Sequence, residues 1–183
     1  MFEKILEKLA KLFEEKKIPY MIIGGQAVLM HGEARMTQDI DITLGLGPED
    51  LEKVLHLCQE AHWQVLVANP YDFVTKTMVL PCQDQQTGIR LDLVFSFSPY
   101  EKEALKRAQS FTMGGSKLKV ASVEDLMIHK IIAGRPRDLE DLRMLCLKHP
   151  KLDKTYIKHW LDQYAQVMEQ ALWQQFEAIL EDT

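Results

Sequence analysis

The stretch from Ile22 to Thr43 constrains this chain more than any other part of it. It reads Ile22-Ile23-Gly24-Gly25-Gln26-Ala27 and, a few residues on, Arg35-Met36-Thr37-Gln38-Asp39-Ile40-Asp41-Ile42-Thr43. The first half predicts a short buried strand that runs through a glycine turn into a short helix. The second half predicts a strand carrying carboxylates at alternate positions. Residues i and i+2 of a strand point to one face, so Asp39 and Asp41 share a face and Ile40 and Ile42 share the other. Two carboxylates held side by side repel each other unless a cation lies between them. A glycine turn at a helix start can cradle phosphate. Together these features point to a Mg²⁺–nucleotide site. The competing reading is a pair of solvated acids on an edge strand, although aspartate is disfavoured in strands.

Around this stretch the pattern predicts a mixed α/β region followed by a helical one. Phe2, Ile5, Leu6, Leu9 and Phe13 recur at helical spacing, and Pro19 closes that helix. Tyr20 to Ile23 and Gln38 to Leu44 are the two strands just described, and a helix begins near Pro48. Trp63 to Ala68, Thr75 to Leu80 and Ile89 to Phe95 read as further strands, the last two joined by a polar turn at Gly88. Pro99 to Ala108 reads as a helix. Phe111 to Met113 and Lys117 to Val120 flank the tight turn Gly114-Gly115. Ser122 has the position of an N-cap, and the chain then reads as helical to its end, with breaks near Gly134-Pro136 and His149-Pro150. The hairpin-like pairs imply a mixed sheet. The expected division is an α/β core over 1–121 and a helical C-terminal region over 122–183 packed on that core.

Composition narrows the function classes. Hydrophobic residues make up 46% of the chain, enough for a core, and no apolar run reaches the length of a membrane span. The amphipathic, partly acidic start from Met1 to Ile5 is unlike a signal peptide. Cys58, Cys82 and Cys146 lack zinc or disulfide spacing, which fits a reducing cytoplasm. A net charge of −5 argues against general coating of nucleic acid, but His129 to His159 holds eight basic residues against four acidic ones. That window is either a solvated helix face or a local anion site.

A third carboxylate, Asp92, interrupts the apolar strand Leu91-Asp92-Leu93-Val94-Phe95. It can complete a metal site with Asp39 and Asp41 and accept a proton from an attacking hydroxyl, or pair with Arg90 on its own face. Lys130 lies among apolar helical residues, as a charge aimed at phosphate or as a snorkelling lysine. Asp138 and Asp141 share a helix face; Asp138 can orient Lys130 or Arg35, or both acids can be surface groups. The six histidines show no metal spacing. Trp160, Tyr164, Val167, Met168, Ala171, Leu172, Phe176 and Leu180 run at helical spacing and read as core or dimer contacts.

Gly24-Gly25-x-Ala27, then Arg35-x-Thr37-x-Asp39-Ile40-Asp41, then Asp92 on a later strand, resembles the nucleotidyltransferase fold of the polymerase-beta superfamily. It is similar in particular to the small AbiEii/AbiGii toxin-type nucleotidyltransferases. The block Asp125-Leu126-Met127-Ile128-His129-Lys130 with Arg135-x-Arg137-Asp138-x-x-Asp141-Leu142 resembles the downstream motifs of that group. The likeness runs from Ile22 to about Leu145. Two departures stand out: Gly24-Gly25 replaces the usual Gly-Ser, and Arg137 stands where lysine is more usual.

The resemblance implies an α+β fold, with a mixed sheet flanked by helices and a helical C-terminal region. It implies a cytoplasmic nucleotidyltransferase dependent on Mg²⁺ or Mn²⁺, moving a nucleoside monophosphate from an NTP to an acceptor hydroxyl. Asp39, Asp41 and Asp92 would hold metal; Gly24, Gly25, Arg35, Thr37, Lys130 and Arg137 would bind nucleotide; Lys130 would join the three aspartates in catalysis. The acceptor would be tRNA or another RNA, a protein or a small molecule, with an antitoxin as a possible partner. The alternative is a catalytically silent copy of the fold acting as a toxin–antitoxin or regulatory module, which the missing serine would favour. A metal phosphohydrolase is a third, weaker reading.

Overall fold

The computed structural model describes residues 2–183; Met1, where the expected core begins, lies outside the described residues. The first helix, α1 (Phe2–Glu15), buries Ile5, Leu6, Leu9, Ala10 and Phe13, the face its spacing predicts. It ends in a left-handed residue, Lys17 (φ 53°). The Ile18 N–H returns to the Phe13 carbonyl and the Lys17 N–H to that of Glu14, so orphan carbonyls of the last turn are satisfied before Pro19.

Seven strands then form one sheet: β1 (Tyr20–Ile23), β2 (Asp39–Leu44), β3 (Trp63–Val65), β4 (Val79–Asp84), β5 (Arg90–Phe95), β6 (Gln109–Met113) and β7 (Ser116–Val120). Their spatial order is β3-β4-β5-β2-β1-β7-β6. β2 and β5 are parallel, as are β1 and β7, while the remaining neighbours are antiparallel. The sheet is therefore mixed, as the hairpin signals imply. Ile40, Ile42, Leu44, Leu91, Leu93 and Phe95 are all fully buried. With that set facing the core, the alternate residues, Asp39, Asp41 and Asp92 among them, must face the other way.

Helices α2 (Gly24–Met30), α3 (Leu51–Glu60) and α5 (Pro99–Arg107) follow the predicted pattern, with a 3₁₀ turn at Pro48–Asp50 leading into α3. α5 opens with a full capping box between Ser98 and Glu101. One expectation fails. Thr75 to Leu80 is not a strand: α4 (Pro70–Thr77) occupies most of it, and β4 starts only at Val79. The cause is local, because the Asn69 side chain accepts the Asp72 N–H and Pro70 supplies a preset first turn. Tyr71, Phe73, Val74 and Thr75 favour strands by type, and the cap overrides that preference. β3 also stops at Val65 rather than Ala68.

The chain divides into two units, one running up to Ala27 and resuming over Met36–Ala121, the other made of Val28–Arg35 and Ser122–Thr183. All seven strands belong to the first. The second holds α6 (Val123–Ala133), α7 (Pro136–Lys148), α8 (Lys154–Met168) and α9 (Leu172–Glu181), with α6 packed against α7, α8 and α9. Ser122 caps α6 by accepting the Asp125 N–H at 3.1 Å. In α8 and α9 the buried face is Ile157, Leu161, Leu172, Phe176 and Ile179, whereas Val167 is 83% exposed and belongs to no core. Among the described residues no helix is long and apolar enough to cross a membrane.

Candidate active site

Strand register assembles the acidic cluster. Asp39 and Asp41 project from one face of β2, and the parallel pairing sets Asp41 level with Asp92 and Asp39 level with Arg90 of β5. One carboxylate oxygen from each of Asp39, Asp41 and Asp92 lies within 4.8 Å of the others, and all three residues are half-buried. The Thr37 hydroxyl donates to Asp39 Oδ1 at 2.9 Å and fixes that carboxylate's rotation. Arg90 Nε donates to Asp92 Oδ1 at 3.0 Å. That hydrogen bond and the Asp92 charge raise the Arg90 pKa, with smaller contributions from Asp39 and Asp41.

Such a donor set suits a hard divalent cation. Three hard oxygens converge without nitrogen or sulfur, the donor type of a hard cation rather than a soft one. Gly24 gives a second sign that the cluster is built rather than incidental. Ile23 pairs with Asp41 across β1 and β2, so the next residue, Gly24, lies against that carboxylate. A Cβ at Gly24 would fall 1.9 Å from Asp41 Oδ2, and its φ of +63° is itself a glycine conformation. The glycine turn thus makes room for Asp41. Sequence pattern alone marks the turn for phosphate; the neighbour that dictates it comes from the facing strand and leaves no local signal.

In the second unit a separate, buried charge network forms. Lys130 is 4% exposed, and its ammonium donates to Asp138 Oδ1 at 2.7 Å and Asp141 Oδ2 at 2.8 Å. Arg35 donates to Asp141, and Arg135 donates to the other oxygen of Asp138. Burial works to raise the Asp138 carboxyl, but hydrogen bonds from Arg135 and Lys130 outweigh it and hold the group below the ordinary aspartate range. Of the two partners considered for Asp138, Lys130 is the one engaged, while Arg35 goes to Asp141. Arg137 is exposed on α7. His31, close to the motif in sequence, belongs to the second unit, where its ring meets His149 edge-on at 5.7 Å.

Residues 2–177 match the model of a family described as "Nucleotidyl transferase of unknown function (DUF2204)". Among solved structures the chain is similar to the antibiotic-resistance factor ANT(2'')-Ia, with TM-score 0.63 and 15% identity over 91% of this chain and 95% of that one. An antigenic nucleotidyltransferase-like protein from Paracoccidioides brasiliensis matches with TM-score 0.59 and 16% identity over 96% of this chain and 92% of that one. The lincosamide antibiotic adenylyltransferase LnuA, solved with lincomycin bound, matches with TM-score 0.55 and 18% identity over 78% and 95% of the two chains. Likeness at these identities concerns the fold. No curated protein matches the chain by sequence.

Proposed function

Because the chain belongs to the nucleotidyl transferase family whose model spans residues 2–177, we propose that it moves a nucleoside monophosphate from an NTP to an acceptor hydroxyl, dependent on Mg²⁺ or Mn²⁺. The observation that carries this reading is the convergence of Asp39, Asp41 and Asp92 within 4.8 Å beside Gly24, where a side chain would collide with Asp41. In the reaction the acceptor oxygen bonds to the α-phosphorus as the bond to the leaving pyrophosphate breaks. A cation bound there would supply charge neutralisation at the phosphates. Asp39 and Asp41 would hold it, with Thr37 keeping Asp39 in its rotamer. Asp92 would add the third ligand and take the proton released by the hydroxyl. Gly24 and Gly25 present no side chain where the triphosphate would approach. Lys130, Arg35 and Arg137 are carried as counter-charges to the leaving group, a role tested by NTP affinity in Lys130→Met and Arg137→Gln.

The acceptor class is proposed more broadly, as RNA, protein or a small molecule, with an antitoxin-type partner and a cytoplasmic setting. The deciding experiment incubates the protein with each labelled NTP and total RNA, total protein or lincomycin, and follows label into each fraction. Asp39→Asn should abolish transfer with an unchanged fold; full activity in that variant sinks the metal assignment. A second reading, the silent binding module, draws support from the Arg90 pair, which already neutralises Asp92. Calorimetry with Mg²⁺ and ATP, CTP, GTP or UTP separates the two, since a silent module takes up none of them.

A further inference from the structure

Arg90 opens β5 level with Asp39 and pairs with Asp92 at 3.0 Å, so the guanidinium lies against the same acids that would bind a cation. Its side chain is 53% exposed, while that of Asp92 is 17% exposed. An ion pair this open to water has a small net strength and exchanges readily. The field that Arg90 feels comes from Asp92 first and then from Asp39 and Asp41. Half-buried carboxylates this close would repel strongly with no positive charge among them. Arg90 holds Asp92 through Oδ1 alone, and a dication arriving on that carboxylate repels the guanidinium and loosens its hold. Once displaced, a guanidinium on a long stem at the edge of an acidic cluster has one kind of chemistry to offer. Its planar fork of donors matches phosphate oxygens in pairs.

Resting on the metal-dependent reading above, we propose that Arg90 is an exchangeable counter-cation: it neutralises Asp92 in the cation-free protein, yields that carboxylate to a divalent cation, and then turns to the triphosphate. Cation uptake and nucleotide uptake are thereby coupled through one side chain. Arg90 opposes the cation arriving alone and favours the cation arriving with its triphosphate.

The opposed signs make the test. Free Mn²⁺ is followed by electron paramagnetic resonance during titration with the wild type, Arg90→Gln and Arg90→Lys, with and without inorganic tripolyphosphate, a probe independent of the base. Arg90→Gln should bind Mn²⁺ alone about threefold to fivefold more tightly, the range of an exposed ion pair. It should bind Mn²⁺–tripolyphosphate about tenfold or more weakly, as expected when a charged hydrogen bond is lost. Arg90→Lys should fall between in both. If both affinities move in the same direction, or neither moves, Arg90 is an ordinary structural pair and the inference fails. A wild type that takes up no Mn²⁺ removes the metal-site reading itself, so the two failures are distinguishable.

Discussion

Gly24→Ala tests the architecture of the acidic cluster most directly. The substitution places a methyl group 1.9 Å from Asp41 Oδ2 at a residue whose φ is +63°. Two costs follow. The left-handed backbone costs an L residue about 1–2 kcal/mol. The steric conflict forces Asp41 to another rotamer, an overpacking cost of about 1–3 kcal/mol. The total is roughly 2–5 kcal/mol. Gly88→Ala supplies the internal control, because Gly88 also has positive φ (+72°) in the same unit and its Cβ would meet only Gln83 Nε2 at 4.0 Å. That variant should lose only about 1–2 kcal/mol. Urea unfolding measures both, and Mn²⁺ titration measures what happens to Asp41. Gly24→Ala should bind Mn²⁺ at least about tenfold more weakly, a displaced charged ligand being the cause, and Gly88→Ala should bind as the wild type does. Equal stability and equal Mn²⁺ affinity in the two variants would refute the argument that Asp41 dictates the glycine.

Other expectations concern the second unit and pH. Lys130→Met strands Asp138, itself 2% exposed, and should destabilise the protein by about 3 kcal/mol in urea unfolding, the lower end for a broken buried pair because Arg35 and Arg135 remain. Stability should also fall in acid. Asp138 and Asp84 are both held below the ordinary aspartate value of 3.8, against the opposing effect of burial, by hydrogen bonds from Arg135 and Lys130 and from Thr87 and Lys8. A carboxyl depressed in the folded state contributes stability above its unfolded pKa and loses it as pH drops through the folded one. The urea midpoint should therefore hold constant from neutrality to about pH 4 and decline below that, less steeply in Asp138→Asn.

Much of the sheet and the acidic cluster was legible in the sequence. The Asp39-Ile40-Asp41 alternation and the lone Asp92 in an apolar strand allow one arrangement with both isoleucines buried, and Ile40 and Ile42 are indeed fully buried. Ser122 was readable as a cap because capping is a local hydrogen bond. Contacts that cross the chain were not. The ammonium of Lys130 meets Asp138 and Asp141 only because α6 and α7 pack together, whereas helical spacing alone favours a snorkelling lysine and only the family resemblance points it at phosphate. α4 was hidden by its β-branched and aromatic residues, whose type opposes the helix that Asn69 and Pro70 begin. The outward position of Val167 shows the same limit, since periodicity marks a stripe but not which edge of it meets a neighbour.

The parallel pairing of β2 with β5 has a kinetic consequence. Asp41 and Asp92 are far apart along the chain, with α3, β3, α4 and β4 lying between them in sequence. Closing so long a loop is entropically expensive and belongs to the slow, non-local part of folding. Partly folded species that have made only the β1–β2 or β4–β5 hairpins hold two of the acids or one, never all three. A cation that needs the full set binds the native state alone and shifts the unfolding equilibrium in proportion to its occupancy. Uptake of Mn²⁺ during refolding would then time the joining of β2 to β5.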